Sequence, residues 1–363
     1  MKYNLQDGSR KKAYMKLYTG VRSDIILGIY GYGSKLPSKR QMADRTGVSV
    51  ITVEHAYDLL MEEGYVESKE RSGYFVIYRK KDAYAAAPLS KKIFPAAVKK
   101  EEKNEDLFPF AVFAKTVRTV LSKWGEKLLI PSPNAGMAEL REAISDYLAR
   151  SRGIMVGPDQ VFIGAGAEYL YSLIIQLIGK NKKVALENPC YETIKKVYHA
   201  QGISTDLLSL GEDGILTEEL NRTEAEVLHV TPFNSYPSGI TANASKRHEY
   251  VAWAENGGRL IVEDDYDSEF TLLSKAEDTL YSLSDNGHVI YMNTFSKTIA
   301  PSIRIGYIVV PHRLLKKFKE KTGFYSCTVP VLDQVVLAEF INEGHFERHI
   351  NRVRRKRRKE MKK

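Results

Sequence analysis

NTFSKTIAPSIRIGY, residues 293–307, places one lysine among small hydroxyl residues at the end of an apolar run. The lysine is Lys297, and Arg304 follows just before the strand-like run IGYIVV. Considered alone, Lys297 would be interpreted as a solvated surface lysine. The alternative is that it holds a ligand, which requires further polar groups at the ends of neighbouring strands.

Composition restricts the class of protein. The chain has 363 residues, of which 43% are hydrophobic, enough for two or three domains with cores of their own. No apolar run approaches the roughly 18 residues that a membrane span needs, and the N-terminus lacks the apolar stretch of a signal peptide. Cys190 and Cys327 cannot form a disulfide framework, and neither has a partner at metal-ligand spacing. We therefore expect a cytoplasmic protein without a membrane segment or a metal site.

The net charge of +9 is concentrated in the last residues, RHINRVRRKRRKEMKK. Such a run could bind nucleic acid or could form one solvated face of a helix. The helical spacing of His349, Val353 and Arg357 favours the helix.

Residues 79–106 separate a short front segment from a long rear one. This stretch is rich in Lys, Ala and Glu, contains two prolines and has no amphipathic period, which predicts a linker. The expected divisions are a front domain over residues 1–78, a rear domain over residues 107–345, and the start of a further helix over residues 346–363.

The front segment predicts three helices. Residues 14–30 carry apolar residues at helical spacing, so they predict the first helix. Ser38 is placed to cap a second helix, and Gly47 to end it in a tight turn. Ser49 or Thr52 would then open a third helix. The positions of that helix expected to face a core are Val53, Ala56, Tyr57 and Leu60.

After these helices, YVES and SGYFVIY predict two short strands around the turn KERSG. Three helices and a hairpin form a winged helix-turn-helix, whose recognition helix fits the major groove of DNA. The alternative is a small helical domain that binds protein or serves as a spacer. The residues expected to contact DNA are Ser38, Arg40, Ser49, Thr52, Arg71 and Gly73.

The front segment resembles the GntR family of bacterial regulators. The family pattern runs LPS-x-R, then GVS, then TV-x-x-AY-x-x-L-x-x-EG, and here these read LPSKR and GVSVITVEHAYDLLMEEGY. The family's wing ends in G-x-x-V, to which RSGYFV is similar. One position departs from the pattern, because the family usually has a basic or polar residue after the serine of the recognition helix and this chain has Val50. The resemblance implies promoter DNA as a partner.

From about residue 107 onward, helical and strand patterns alternate. MAELREAISDYLA and AEYLYSLIIQLIG predict helices, whereas QVFIG, KVALE, EVLHV, RLIVEDDY, HVIYMNT and IRIGYIVV are apolar runs of strand length. Strands that alternate with helices imply a parallel or mixed sheet covered on both faces, which is a three-layer α/β fold. Ligands of such sheets gather at the carboxyl ends of the strands.

Polar or small residues follow the predicted strands. The small residues of GAGAE let backbone N–H groups approach an anion at the start of a helix. Taken singly, Asp264 could equally be a helix cap or half of an ion pair, and Tyr191 could be a core aromatic. The residues at the strand ends are Ala165, Gly166, Ala167, Tyr191, Asn234, Asp264, Tyr266 and Lys297. Their occurrence as one ordered set indicates a ligand site.

This set matches the chemical needs of pyridoxal 5'-phosphate (PLP). A lysine amine forms a Schiff base with the aldehyde, and a carboxylate near the pyridine nitrogen keeps the ring protonated as an electron sink. A phenol can hydrogen-bond the ring oxygen, and an aromatic face can stack on the ring. Hydroxyls, backbone N–H groups and an arginine neutralise the phosphate. We therefore expect Lys297 to hold PLP, with Thr294 and Arg304 on the phosphate.

Residues 107–350 resemble the large domain of fold-type-I, class-I-like aminotransferases. SKTIAPSIRIGY is similar to their lysine segment S-K-x-x-x-P-x-x-R-x-G-Y. EDDYDSEF and TPFNSYPSG are similar to the version found behind a GntR-type head, in the MocR (GabR-like) subfamily of PLP-dependent regulators. The likeness implies that Lys297 forms the Schiff base, Asp264 pairs with the pyridine nitrogen and Tyr266 with the ring oxygen. It further implies cofactor contacts from Tyr191, Ala165, Gly166, Ala167, Asn234, Thr294, Ser296 and Arg304.

By this likeness the protein is a homodimeric regulator that senses an amino acid or amine by transaldimination at Lys297 and changes the spacing of two DNA-binding heads. One alternative is an aminotransferase with a vestigial head, and another is a binding protein with an inactive PLP fold. Family members continue into a small C-terminal domain that grips the effector carboxylate. We expect Lys363 to lie inside the helix that leads to this small domain.

Overall fold

A computed structural model describes residues 12–70, 72–79, 108–271 and 277–361. The chain divides into two compact units, one within residues 1–99 and the other within residues 100–363, and each is described by itself. Except for Arg79, the linker predicted over residues 79–106 lies outside the described residues, and so does Arg71, one of the expected DNA contacts.

Among its described residues, the first unit contains three helices and a two-stranded antiparallel sheet. Its elements are α1 (Ala13–Ile26), α2 (Lys39–Thr46), α3 (Val50–Glu62), β1 (Val66–Lys69) and β2 (Gly73–Val76). The prediction of one helix over residues 14–30 was wrong at its end. The helix stops at Ile26 because Gly28 adopts φ +79°, and Ile29 is exposed in the loop that follows.

Caps define the helix-turn-helix. The Ser38 hydroxyl accepts from the Gln41 backbone N–H, and the Gln41 side chain accepts from the Ser38 backbone, which forms a capping box at the start of α2. Gly47 ends α2 at φ +68°, a left-handed conformation that other residues adopt at a cost. Ser49 caps α3 by accepting from the Thr52 backbone N–H at 3.2 Å. Of the two predicted openings of the third helix, Ser49 is therefore the one observed.

The core of this unit lies between α1, α2, α3 and the hairpin. The predicted core positions of α3, Val53, Ala56, Tyr57 and Leu60, are all buried. The Tyr57 hydroxyl donates to the Pro37 carbonyl at 2.9 Å, which ties α3 to the segment that enters α2. The winged helix-turn-helix predicted from the sequence is confirmed.

The second unit is built from ten helices, eight strands and three short 3₁₀ turns among its described residues. The helices are α4 (Phe110–Trp124), α5 (Ala138–Arg152), α6 (Ala167–Ile178), α7 (Glu192–Ala200), α8 (Thr217–Arg222), α9 (Ala244–Asn256), α10 (Leu280–Leu283), α11 (His312–Thr322), α12 (Val331–Asn342) and α13 (His345–Glu360). The strands are β3 (Val161–Gly164), β4 (Val184–Asn188), β5 (Thr205–Gly211), β6 (Gly214–Ile215), β7 (Val227–Val230), β8 (Leu260–Asp264), β9 (Val289–Thr294) and β10 (Gly306–Val309). The 3₁₀ turns are Gly125–Leu129, Pro158–Gln160 and Ser268–Phe270.

The eight strands form one mixed sheet in the order β3-β10-β9-β8-β7-β4-β5-β6. The pairs from β9 through β8, β7 and β4 to β5 are parallel, whereas β10 is antiparallel to both of its neighbours. In that register Gly306 lies opposite Thr294 on one side and Gly164 on the other. The start of β10 therefore lies at the same edge as the ends of β3 and β9.

Helices cover both faces of the sheet. On one face, α6, α7 and α11 pack on strand residues such as Leu186 and Ile290. On the other, α5, α12 and α13 pack on residues such as Tyr291 and Tyr307, and α9 packs on Leu228 and its neighbours. The predicted three-layer α/β fold is confirmed.

The basic C-terminal run forms α13, as its helical spacing predicted. Its buried residues include His349 and Val353, and the Arg357 guanidinium lies 4.6 Å from the ring centroid of Phe270. One face of α13 thus packs on the second unit. Among the described residues, no helix combines the length and the apolar character needed to span a bilayer.

The capping box makes a local prediction for the first unit. Ser38→Ala removes the acceptor for the Gln41 N–H, so it should destabilise α2 by about 1 kcal/mol, which is about fivefold in local opening. Hydrogen exchange of the α2 amides, followed by mass spectrometry on the full chain, measures this directly. Ser72→Ala in the turn of the hairpin is the control, and unchanged exchange in Ser38→Ala would show that the cap contributes nothing.

Candidate functional site

The predicted site residues lie at one edge of the sheet. The parallel strands end there, and the antiparallel β10 begins there. Residues that follow the strand ends, or directly precede β10, at this edge are Ala165, Gly166, Ala167, Tyr191, Asn234, Asp264, Tyr266, Thr294, Ser296, Lys297 and Arg304. The topology therefore brings together segments that are far apart in the sequence.

One corner of this edge is arranged around the start of α6. Gly166 caps α6 with φ +87°, and a Cβ atom at this position would lie 2.5 Å from Nη2 of Arg304. Arg304 also forms a salt bridge with Glu168 in the first turn of the helix. The guanidinium thus lies beside the N-terminus of α6, where backbone N–H groups lack helical partners. Glycine suits the positive φ of this position, and a side chain here would have to move the end of Arg304 aside.

Hydroxyl groups lie in the turn between β9 and β10. Thr294 is buried at the end of β9, and its register partner Gly306 is two residues beyond Arg304. The Ser296 hydroxyl donates to the Ile303 carbonyl at 3.3 Å, which closes the turn that carries Lys297. Two hydroxyls and a guanidinium therefore come from one short connection between neighbouring strands.

Lys297 is exposed on this turn. Its Nζ lies 5.3 Å from the ring centroid of Tyr266, a distance typical of a cation–π contact. Asp267 is close enough to respond to the charge of Lys297. Burial raises the pKa of Asp267, and the charges of Lys297 and Arg357 act against that increase. Lys297 thus lies between an aromatic ring and an acidic side chain.

Asp264 is held from behind by a chain of buried polar side chains. The Tyr171 hydroxyl donates to Oδ2 of Asp264 at 2.6 Å, and His229 Nε2 lies 3.7 Å from the same oxygen. His229 Nδ1 is 2.9 Å from the Tyr198 hydroxyl. Burial raises the pKa of both tyrosines well above the usual value, so both phenols keep their protons at neutral pH.

The hydrogen bond from Tyr171 fixes the orientation of a carboxylate that is only 7% exposed. Sequence reasoning selected Asp264 and missed Tyr171, Tyr198 and His229. The signal was weak, since His229 is the polar member of the apolar strand EVLHV and the tyrosines belong to otherwise ordinary buried helix faces. Only the parallel pairing of β7 with β8 brings His229 next to Asp264.

Glu187 is a fourth residue that the sequence did not reveal. It is buried near the end of β4, and its Oε2 accepts from the Ser235 hydroxyl at 2.7 Å and from the Thr231 N–H at 3.2 Å. The loop that it holds carries Asn234, whose φ of +50° is unusual for a residue other than glycine. Burial raises the pKa of Glu187 to about 7.

Two predicted residues stand at the mouth of the site. Tyr191 is exposed at the start of α7, with its ring centroid 6.0 Å from that of Tyr236 in an edge-to-face arrangement. Asn234 lines a cleft of about 540 Å³ together with Asp267 and Arg357. Their side chains therefore lie towards solvent rather than in the buried chain behind Asp264.

The acidic run DDYD divides into residues of different surroundings. Asp265 forms a buried salt bridge with Arg152 and accepts from the Tyr291 hydroxyl at 2.6 Å. Asn293 donates to Glu269 at 2.7 Å in the same buried region. Asp265 thus stabilises the sheet, whereas its neighbours Asp264 and Tyr266 lie at the edge.

The groups present fit PLP in their chemical types. This cofactor needs an amine, a carboxylate and a site for its phosphate. The edge offers an exposed lysine beside a phenol, a buried carboxylate oriented by a phenol, and hydroxyls with a guanidinium at a helix N-terminus. Gly166 belongs to the same corner, where the guanidinium of Arg304 lies close to its backbone.

Comparison with known proteins agrees with this description. Residues 13–76 match the family of bacterial regulatory proteins called gntR, and residues 90–363 match aminotransferase class I and II. An uncharacterized HTH-type transcriptional regulator of Bacillus subtilis, YdeL, is 35% identical over 94% of this chain and 76% of its own length. The probable rhizopine catabolism regulatory protein MocR of Rhizobium meliloti is 32% identical over 94% of this chain and 74% of its own. The chain belongs to the MocR-like regulators of the GntR family.

The large domain of this MocR-like regulator is similar to solved aminotransferases. A kynurenine aminotransferase of Pyrococcus horikoshii, solved in complex with PMP, superposes with a TM-score of 0.63 at 25% identity. The match covers 69% of this chain and 64% of the aminotransferase, so the regulator spans less than two thirds of that enzyme. The likeness establishes the fold type of the large domain, and the relatives establish a DNA-binding regulator.

The buried Glu187 makes the stability of the regulator depend on pH. Its pKa is about 7 in the native state against an ordinary value of 4.5, so the native protein binds this proton more tightly and loses stability as pH rises from about 4.5 to 7. Glu187→Gln keeps an acceptor oxygen and removes the titration. We expect the variant to be more stable than the wild type at pH 8, by on the order of 3 kcal/mol, and similar to it at pH 5.

Thermal unfolding of the full chain at the two pH values measures this difference. Glu142→Gln on the exposed side of α5 is the matched control, for which we expect the same dependence of stability on pH as in the wild type, because Glu187 is retained. A Glu187→Gln effect of equal size at both pH values would mean that this carboxyl group does not titrate in the stated range.

Proposed function

We propose that this regulator binds promoter DNA through its winged head and detects an amino acid or amine at PLP held by Lys297. The observation that carries the proposal is the meeting of Lys297, Arg304 and the start of α6 at one edge of the sheet. Asp264 lies buried at the same edge, with its carboxylate oriented by Tyr171.

Each group has a role suited to its surroundings. Bound PLP would supply an electrophilic aldehyde carbon and a ring that withdraws electrons. Lys297 provides the amine that the amine of an effector would replace. Asp264 would hold the proton of the ring nitrogen, because a buried, oriented carboxylate is a strong acceptor for a charged donor. Tyr266 would hydrogen-bond the ring oxygen, and Tyr191 would stack on the ring.

The phosphate would lie at the start of α6. A helix N-terminus offers unpaired N–H groups and a favourable dipole for an anion. Arg304 adds a fixed positive charge that can bind two phosphate oxygens at once. The residues proposed to contribute are Ala165, Gly166, Ala167, Thr294, Ser296 and Arg304, with Asn234 as a further donor towards the ring.

Release of Lys297 supplies the signal. If the amine of an effector took its place, the Lys297 side chain would be free next to Tyr266 and Asp267. Its release would alter the contacts of the exposed turn that joins β9 to β10. In a homodimer, which we propose from the likeness to fold-type-I proteins, two heads would engage two half-sites of an operator, so a change in their spacing would alter affinity.

Turnover is the competing function, because the large domain keeps every residue proposed to hold the cofactor. A steady-state assay with amino donors and 2-oxo acids distinguishes the two. Multiple turnovers at about 1 per second or faster would favour an aminotransferase. The intact caps and core of the head support the regulator, since they preserve the geometry that DNA binding needs.

Covalent attachment at Lys297 is the first test. We expect Lys297→Ala to abolish the absorbance band of bound PLP, because the variant lacks the amine that forms the bond. Borohydride reduction followed by peptide mass spectrometry should locate the adduct of the wild type on the peptide that contains Lys297. Lys316→Ala, an exposed lysine of α11, should bind PLP like the wild type. A colourless wild type without an adduct would refute the cofactor assignment.

DNA binding by the head is the second test. Arg40 is exposed in the first turn of α2, the helix that precedes the recognition helix α3. Arg40→Ala should weaken binding to all duplexes by a similar factor and reduce the slope of log affinity against log salt by about 1, because a phosphate contact is lost. Gel shifts with the promoter region of its own gene measure both quantities.

The matched control for this test is Arg118→Ala, an exposed arginine on α4 of the second unit. We expect it to leave both affinity and salt slope unchanged, and neither variant should alter the PLP absorbance. If Arg40→Ala binds as tightly as the wild type, the DNA-binding face lies elsewhere on the head.

A further inference from the structure

The recognition helix α3 has an unusual set of side chains. Its 13 residues read VITVEHAYDLLME and include no Arg, Lys, Asn or Gln. These four residue types make the bidentate hydrogen bonds by which proteins commonly read guanine and adenine in the major groove. Recognition by this helix must therefore depend on other contacts.

The polar side chains in the first half of α3 are already engaged within the head. Glu54 could accept from cytosine, but it forms a salt bridge with Lys39 of α2. The His55 ring contacts Tyr14 of α1 edge-on, with centroids 5.9 Å apart. Ser49 and Thr52 bond to each other at 2.9 Å while they cap the helix. Each of these contacts would have to be broken or shared in order to read a base.

Two apolar side chains remain at the start of the helix. Val50 is 41% exposed and Ile51 is 64% exposed, although the apolar residues on the other face of α3 are fully buried. Single exposed apolar residues are common on protein surfaces. Here two β-branched residues are adjacent, and they occupy the first turn of the helix, which is the part that meets base edges in a helix-turn-helix.

The surroundings indicate DNA rather than protein as the occupant of this apolar pair. Arg40 and Arg45 are exposed on the adjacent α2, and exposed Lys35 and Lys69 belong to the wing side of the head. An apolar pair on a head whose other elements expose basic side chains suits a groove that offers an apolar group between two rows of phosphates. The apolar feature of the major groove is the C5-methyl group of thymine.

We propose that Val50 and Ile51 read thymine methyl groups in the operator. The inference rests on the proposed binding of DNA by the head, and it adds which base and which atoms are read. Binding sites should therefore be defined by the position of thymines more than by that of guanines. The departure from the family pattern at Val50 then marks a change in the base preference of this regulator.

The test begins with the full chain and a pool of duplexes with a random central segment. After selection of bound duplexes, one selected sequence is synthesised with deoxyuridine in place of each thymine in turn. Deoxyuridine removes only the methyl group and keeps the base pair. We expect one or two thymines per half-site at which this replacement weakens binding by about fourfold, the effect of one buried methyl group.

Variants connect this loss to the two side chains. Ile51→Ala and Val50→Ala should bind the thymine duplex more weakly and should no longer distinguish thymine from deoxyuridine at the position that each reads. Ile29→Ala removes the same atoms from an isoleucine that is 47% exposed in the loop after α1, and it should discriminate like the wild type. Because all three residues are exposed, the substitutions leave the core of the head intact.

The outcomes separate this inference from the proposed function. One outcome is that the wild type enriches specific duplexes and yet binds all their thymine and deoxyuridine versions equally. That result would overturn the inference and leave DNA binding intact. Discrimination that persists in the Val50→Ala, Ile51→Ala double variant would also overturn it. If the wild type enriches no sequence at all, DNA binding itself is refuted and the inference falls with it.

Discussion

The antiparallel direction of β10 is the constraint on which the candidate site depends. Because Gly306 pairs with both Thr294 and Gly164, the start of this strand lies beside the ends of β9 and β3. Arg304, two residues earlier, therefore reaches the N-terminus of α6, where Gly166 leaves space for its guanidinium. A parallel strand of the same 4 residues would begin roughly 13 Å away, at the opposite edge. Sheet topology thus brings the arginine, the hydroxyls and the lysine together.

Much of the fold could be predicted because local chemistry and global structure agree. The cap at Ser38, the turn at Gly47 and the buried stripe of α3 each depend on residues a few positions apart. The strand runs of the large domain were recognisable because strands buried on both faces are apolar throughout. The end of α1 was misjudged, because the apolar stripe continues to Ile29 whereas the chain turns at Gly28. Periodicity detects a helix more reliably than it locates the end of one.

The site could be predicted only in part, because some of its residues are recognisable from local sequence and others only from contacts between distant segments. Lys297, Asp264 and Arg304 stand at strand ends, so their position in the sequence already indicates their position in the fold. Tyr171 and His229 contact Asp264 from another helix and another strand, across 93 and 35 residues of sequence. Glu187 reaches Ser235 across 48 residues. Such contacts depend on strand order, and a single sequence does not specify strand order.

Burial and ion pairing limit the negative charge of three acids in or next to the sheet. Burial raises the pKa of Glu187 to about 7 and that of Glu263 to about 8, so near neutral pH these carboxyl groups carry only part of their negative charge. Asp265 is neutralised in a different way, by its salt bridge with Arg152. These three acids therefore contribute less negative charge to the sheet than free carboxylates would. The burial of Glu187 and Glu263 also makes the domain less stable as pH rises, because the native state binds these protons more tightly than the unfolded chain does.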